Sequence, residues 1–122
     1  NLLHKILKSD LVVYASPVYV WDFPAQMKTL IDRHYCLLKW KNGTEKSLVE
    51  NKKTMLLTTC GGDAENNADL LRLIFEREMK YLRCQIVGEF VVPNCTLPAN
   101  LGPIKDEMAM MMNEAILRVM ES

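Results

Sequence analysis

The sequence predicts a layered α/β fold with a parallel sheet, and three observations support this. Short apolar runs at residues 11–15, 54–59 and 85–92 have the length and composition of buried strands. Segments with helical periodicity separate these runs, which is typical of parallel strands joined by helical crossovers. Proline or glycine follows each run, so each strand is expected to end in a loop.

The first half of the chain contains two predicted helices and one strand. A helix end at residues 1–8 leads into the first strand. A second helix is predicted from Pro24 to about Leu38, because proline is favoured in the first turn and the apolar side chains fall on one face. The stretch from Trp40 to Lys53 is polar and contains the turn signal Asn42-Gly43.

The second half repeats the alternation of strand and helix. A helix follows the second strand, with Asp63 or Glu65 as its candidate cap and an apolar stripe that extends to about Leu82. The last helix is predicted from Ile104 to Met120, where the apolar spacing suits a helix packed on a sheet. With no evident linker or repeat, residues 1–122 are expected to form a single domain.

Composition excludes several classes of function. The formal net charge is zero and no basic block occurs, which argues against nucleic acid as a partner. No apolar stretch reaches the roughly 20 residues that a membrane helix requires, and no leader pattern is present. We therefore expect no membrane association and a cytoplasmic location.

The cysteines and histidines are not arranged as metal ligands. The four cysteines Cys36, Cys60, Cys84 and Cys95 lie far apart, and neither His4 nor His34 has a second ligand-type residue one helical turn away on its face. No metal site is predicted, and both histidines are expected at the surface or at helix ends. Cys60 is the exception among the thiols, because its position in a strand-end loop predicts exposure and a lowered pKa.

Two loop sequences lie at the ends of the first two predicted strands. The first is Ser16-Pro17-Val18-Tyr19 with the following Pro24-Ala25-Gln26-Met27-Lys28 and Ile31-Asp32-Arg33. The second is Thr58-Thr59-Cys60-Gly61-Gly62. Together they resemble the flavin loops of the NAD(P)H-dependent FMN reductase family, which includes iron-sulfur flavoproteins and related quinone reductases. The resemblance extends from about residue 1 to about residue 95.

The resemblance implies a flavodoxin-like three-layer α/β/α sandwich with a parallel sheet. The chain would be the carboxyl-terminal portion of such a domain, without the first strands and the loop that wraps the FMN phosphate. The implied cofactor is FMN, with NAD(P)H as co-substrate and a quinone, a flavin or another small molecule as electron acceptor. The family also implies a homo-oligomer, either a dimer or a tetramer.

The same resemblance implies which residues hold the flavin ring. Ser16, Pro17, Val18, Tyr19 and Trp21 would bind it from one side, with Phe23 as a further wall. Thr59, Cys60, Gly61 and Gly62 would approach from the other side, where glycine lets the backbone come close. No catalytic side chain is expected, because the cofactor carries the reaction and the fold orients it.

Two other functions are consistent with the residues. A flavodoxin-type electron carrier would bind FMN without a nicotinamide site of its own. A truncated, non-catalytic flavodoxin-like interaction module would have lost FMN, and Tyr19, Trp21 and Phe23 would then form a patch that docks a second subunit. The sequence leaves open the electron acceptor, the choice between NADH and NADPH, and the presence of an iron-sulfur cluster.

Overall fold

The structure, a computed structural model that describes residues 1–122, contains four α-helices and five strands. The α-helices are α1 (Leu2–Lys8), α2 (Ala25–Asp32), α3 (Asp69–Tyr81) and α4 (Gly102–Glu121). The strands are β1 (Leu11–Pro17), β2 (Leu38–Lys41), β3 (Thr44–Ser47), β4 (Lys53–Thr59) and β5 (Gln85–Val92). Short irregular helical segments lie at Arg33–Leu37, Ala64–Ala68 and Pro98–Leu101.

The three predicted strands form a parallel sheet in the order β1-β4-β5. This confirms the predicted α/β class. In the register of β1 and β4, Tyr14 lies beside Leu56 and Ser16 beside Thr58. The carboxyl ends of the two strands therefore meet at one edge of the sheet, where open α/β folds bind ligands.

Helices cover both faces of this sheet. Tyr14, Leu56 and Phe75 belong to the larger apolar cluster, which α1, α2 and α3 form with one face. Met55, Phe90 and Ala115 form a smaller cluster, through which α4 packs on the opposite face. The result is the three-layer arrangement that the resemblance implied.

Two adjacent lysines at the amino end of β4 hold a helix on each face. Lys52 Nζ donates to the carbonyl oxygens of Leu7 and Ser9 at the end of α1, at 3.0 and 2.6 Å. Lys53 Nζ donates to Val119 O at 3.4 Å and to the Ser122 hydroxyl at the end of α4. A positive charge at the carboxyl end of a helix is favourable because the last carbonyls lack partners within the helix.

The polar stretch from Trp40 to Lys53 contains a hairpin that the sequence did not predict. Strands β2 and β3 pair antiparallel around Asn42 and Gly43, whose φ angles are 53° and 75°. Positive φ at both central positions is the geometry of the tightest hairpin turns, for which Asn-Gly is the preferred pair.

Two of the predicted helices begin or end differently in the structure. The helix from Pro24 is regular only to Asp32 and tightens into a 3₁₀ segment at Arg33–Leu37. The helix after β4 begins with a wider turn at Ala64–Ala68, and the side chain of Asp63 makes no capping hydrogen bond there. None of the helices has the combination of length and hydropathy needed to cross a lipid bilayer.

Candidate functional site

The loop after β1 is a tight turn with an exposed tip. Backbone hydrogen bonds join Tyr19 and Asp22 in both directions, at 3.0 and 3.2 Å. The two residues between them, Val20 and Trp21, have φ angles of 51° and 64°. Positive φ is costly for a β-branched residue, so contacts elsewhere must hold this aromatic turn, residues 19–22, in place.

One such contact is a hydrogen bond from the tip to the segment that follows β4. The indole Nε1 of Trp21 donates to Asn66 O at 3.0 Å. At the base of the turn, Val18 N donates to Thr59 O at 2.8 Å. The first predicted flavin loop is therefore fastened at its base to the second loop and at its tip to the segment that follows the second loop.

The loop after β4 presents free backbone donors. Cys60 N donates to Val92 O at 3.0 Å, but the NH groups of Gly61 and Gly62 make no hydrogen bond within the protein. On the other loop, the NH groups of Val18 and Tyr19 are both used internally. The free backbone donors therefore lie on the glycine loop, residues 60–62, and at the tip of the aromatic turn, where the NH groups of Val20 and Trp21 also make no hydrogen bond.

Two unpaired hydroxyl groups lie below these loops. Ser16 Oγ and Thr58 Oγ1 are buried without a hydrogen-bond partner, and the two residues are neighbours in the register of β1 and β4. Buried polar groups without partners are uncommon, and such a group usually binds a ligand or an ordered water. Thr58 was not among the predicted site residues, although it belongs to the same motif.

Gly61 and Gly62 differ in how much space a side chain would have. A Cβ on Gly62 would stand 2.9 Å from Asn67 Nδ2, so the protein itself uses that space. A Cβ on Gly61 would meet nothing closer than Thr96 Cγ2 at 4.0 Å, so the fold leaves the flank of Gly61 open. Asn66 and Asn67 therefore support the loops, and no pattern in the sequence marks them for this role.

Clefts lie on both sides of the two loops. A cleft of about 460 Å³ runs along β1 and includes Ser16, Pro17 and Tyr19, together with Gln26 and Met27 of α2. A smaller apolar cleft of about 290 Å³ lies on the α4 side and reaches Thr59. The structure thus brings the two groups of predicted residues to one sheet edge, while each borders a separate cleft.

Two predictions about this loop region are wrong. Phe23 is only 5% exposed and packs in the larger apolar cluster, so it cannot serve as a wall for a ligand. Cys60 is only 3% exposed, and burial raises its pKa, with smaller contributions from Cys95 and Asp63. The apolar packing around the loop, which spacing in the sequence does not reveal, explains both errors.

His34 is also not the surface residue that the sequence predicted. Its side chain is fully buried, with Nδ1 donating to Glu78 Oε1 at 2.9 Å and Nε2 facing the Tyr14 hydroxyl at 3.4 Å. Burial is the main cause that raises the pKa of Tyr14 well above its usual value. This network ties β1 to α3 just two residues before Ser16.

The chemistry of the donors fits the polar edge and flat faces of a flavin ring. Gly61 and Gly62 offer NH groups for acceptor atoms, and Ser16, which borders the cleft along β1, offers a hydroxyl that lacks a partner; Thr58 is fully buried beneath it. The open flank of Gly61 allows close approach, while the exposed Tyr19 supplies flat apolar surface at the cleft along β1.

Among curated proteins, the chain is similar to an enzyme named FMN-dependent NADH:quinone oxidoreductase from Tolumonas auensis. The two are 33% identical over 76 residues, which is 60% of this chain and 38% of the relative. The chain thus spans well under half the length of that relative.

Two solved structures show the same fold. An azoreductase from Bacillus anthracis superposes with a TM-score of 0.66 at 19% identity, covering 98% of this chain and 60% of that one. General stress protein 14 from Treponema denticola, solved in complex with FMN, gives a TM-score of 0.64 at 20% identity, covering 95% and 68%.

A sequence model of one family, described as having a flavodoxin-like fold, matches residues 1–102. This range contains the whole sheet and both loops of the candidate site. It agrees with the resemblance drawn from the loop motifs and with the layered structure. The chain therefore belongs to the family of proteins with a flavodoxin-like fold.

Proposed function

We propose that this chain carries the ring-binding part of an FMN-dependent NAD(P)H oxidoreductase, which passes electrons to a quinone or another small-molecule acceptor. The observation that carries the proposal is the pair of free NH groups on Gly61 and Gly62, held beside the aromatic turn at the carboxyl edge of the sheet. The name of the Tolumonas relative and the FMN complex of the Treponema protein support the same reading.

The side chains and backbone of this chain bind and orient. Gly61 and Gly62 donate to acceptor atoms on the polar edge of the ring, and the Ser16 hydroxyl, at the cleft along β1, gains the partner that the protein does not provide. Tyr19 and Trp21 flank the ring and limit access of water. Bound FMN supplies the hydride and electron transfer, so no acid or base from the protein is required.

The exposed tip of the aromatic turn extends the proposal to a homo-oligomer, a dimer or a tetramer. Tyr19, Val20 and Trp21 are 62%, 85% and 52% exposed, which is a large apolar surface for three consecutive residues. A contact between subunits at this place would cover it. All four cysteines are free thiols, in keeping with the proposed cytoplasmic location.

Titration of the purified protein with FMN, followed by flavin fluorescence, tests the proposal. Gly61→Ala adds a methyl group that meets no protein atom closer than 4.0 Å, so its free energy of unfolding should not fall. If the ring lies against Gly61, FMN affinity should fall about tenfold, or ~1.4 kcal/mol. Glu107→Ala on the exposed face of α4 is the control and should leave both quantities unchanged.

Oxidation of NADH and NADPH with a quinone present then separates the functions. Turnover that depends on FMN supports the oxidoreductase. Tight FMN binding without nicotinamide oxidation would show an electron carrier instead. If FMN does not bind, the interaction module becomes the preferred function. If Gly61→Ala leaves the FMN affinity unchanged, the ring does not lie against the glycine loop.

A further inference from the structure

Two cysteines are neighbours on the loops that follow β4 and β5. Cys95 N donates to Cys60 O at 2.8 Å. A carbonyl oxygen lies about 2.4 Å from its Cα and an amide nitrogen about 1.5 Å from its own, so the two Cα atoms are at most about 6.7 Å apart. Disulfides join Cα atoms that are usually 4.4 to 6.8 Å apart, so the backbone already satisfies this requirement.

The side chains converge on the same place. Val92 O accepts from Cys60 N at 3.0 Å and from Cys95 Sγ at 3.2 Å, so the Cys95 sulfur lies beside the backbone of Cys60. Cys60 Sγ donates to Gly62 O at 3.3 Å, and the same oxygen accepts from Asn94 N at 3.1 Å. The Cys95 thiol is thus held beside Cys60, and the Cys60 thiol is held near Asn94, the residue before Cys95.

The two thiols differ in access. Cys60 is buried, and burial together with nearby Cys95 raises its pKa, which disfavours it as the first thiol to react. Cys95 is half-buried and lies in the loop beyond Pro93, within reach of a small oxidant. Cys36 and Cys84 belong to other parts of the structure, at Arg33–Leu37 and at the start of β5.

We propose that Cys60 and Cys95 form an oxidisable pair that a hydroperoxide converts to a disulfide. Hydrogen peroxide transfers one oxygen to Cys95 Sγ, giving a sulfenic acid and one water. Cys60 Sγ then attacks that sulfur, the S–O bond breaks, and the Cys60 proton leaves with the hydroxide as a second water. The two thiols together lose two electrons and two protons, and the peroxide gains them.

The bond would change the glycine loop. Cys60 Sγ must leave Gly62 O to reach Cys95, so the disulfide removes one of the contacts that fix Gly62 and its free NH group. Oxidation should therefore weaken FMN binding reversibly. This consequence rests on the proposed function, whereas formation of the disulfide does not.

Counting thiols in the purified protein, before and after hydrogen peroxide, tests the pair. The reduced chain has four cysteines, and we expect two free thiols after oxidation, a mass lower by two hydrogen atoms and full recovery with dithiothreitol. Digestion with a protease that cuts at Glu89 separates Cys84 from Cys95, so the linked peptides identify the partners. Cys95→Ala should retain all three remaining thiols, while Cys36→Ala should still lose two.

A disulfide that maps to any other pair, or a loss of thiols that persists in Cys95→Ala, would overturn the proposal. Mapping in the wild-type protein decides this without a variant that might disturb folding. FMN titration of the reduced and oxidised forms is separate: if neither form binds FMN, the proposed function fails while the mapped disulfide still stands.

Discussion

Replacing His34 tests whether the buried network beneath the site stabilises the fold. His34→Leu keeps most of the side-chain volume but removes the hydrogen bond to Glu78 at 2.9 Å and the contact with the Tyr14 hydroxyl at 3.4 Å. His34 is fully buried and Tyr14 nearly so, which means that water cannot easily replace the lost partners.

The expected loss combines two effects. A hydrogen bond to a charged group contributes about 1.5–3 kcal/mol, and a buried group left without a partner costs about 1–3 kcal/mol. Because Glu78 is partly exposed and can regain water, we expect about 3 kcal/mol in total rather than the sum of the upper values. For a chain of this length, that lowers Tm by roughly 12 °C.

Urea and thermal unfolding, followed by circular dichroism, measure this loss. His4→Leu on the exposed side of α1 is the matched control, expected within about 0.5 kcal/mol of the wild type. A double-mutant cycle with Glu78→Gln isolates the pair, for which we expect a coupling of about 1–3 kcal/mol. Stability of His34→Leu equal to that of the control, or zero coupling, would refute the reasoning.

Two further predictions concern β5. Gly88→Ala places a Cβ 2.6 Å from a ring carbon of buried Phe90, so it should lower the free energy of unfolding, measured in urea, by about 1–3 kcal/mol. An unchanged free energy of unfolding would show that the ring moves freely. Burial, more than neighbouring Glu76, raises the pKa of Glu89 above 4.5, while Arg72 at 3.8 Å opposes the shift. The folded state therefore holds the proton on Glu89 more tightly than the unfolded chain does. The stability of the wild type should fall relative to that of Glu89→Gln as pH rises from 4.5 through the raised pKa. A difference in stability that stays constant across this range would contradict the prediction.

The parallel strands were predictable because their signals are local. β5 has the predicted bounds Gln85–Val92, since a mainly apolar run stops at Pro93. β4 extends one residue further than predicted, to Lys53, whose side chain leaves the sheet to reach α4. β1 extends two residues beyond the predicted 11–15, to Pro17, so the first loop begins at Val18 and not at Ser16.

Features that depend on distant partners were not predictable in the same way. His34 meets residues 20 and 44 positions away, so its burial appears only once β1 and α3 pack together. The β2–β3 hairpin pairs polar side chains, such as Lys39 with Lys46, and shows no apolar alternation. Whether an NH group of the glycine loop is free or hydrogen-bonded depends on β5 and on the turn after it, and neither is part of the loop motif.

The paired lysines at the amino end of β4 affect which parts of this sequence can change during evolution. Lys52 and Lys53 secure the two helical layers at the edge opposite the candidate loops. Mutations that accumulate in the aromatic turn or the glycine loop leave these anchors intact. Descendants of this chain can therefore acquire different ligand preferences at one end of the sheet while inheriting an unaltered scaffold at the other.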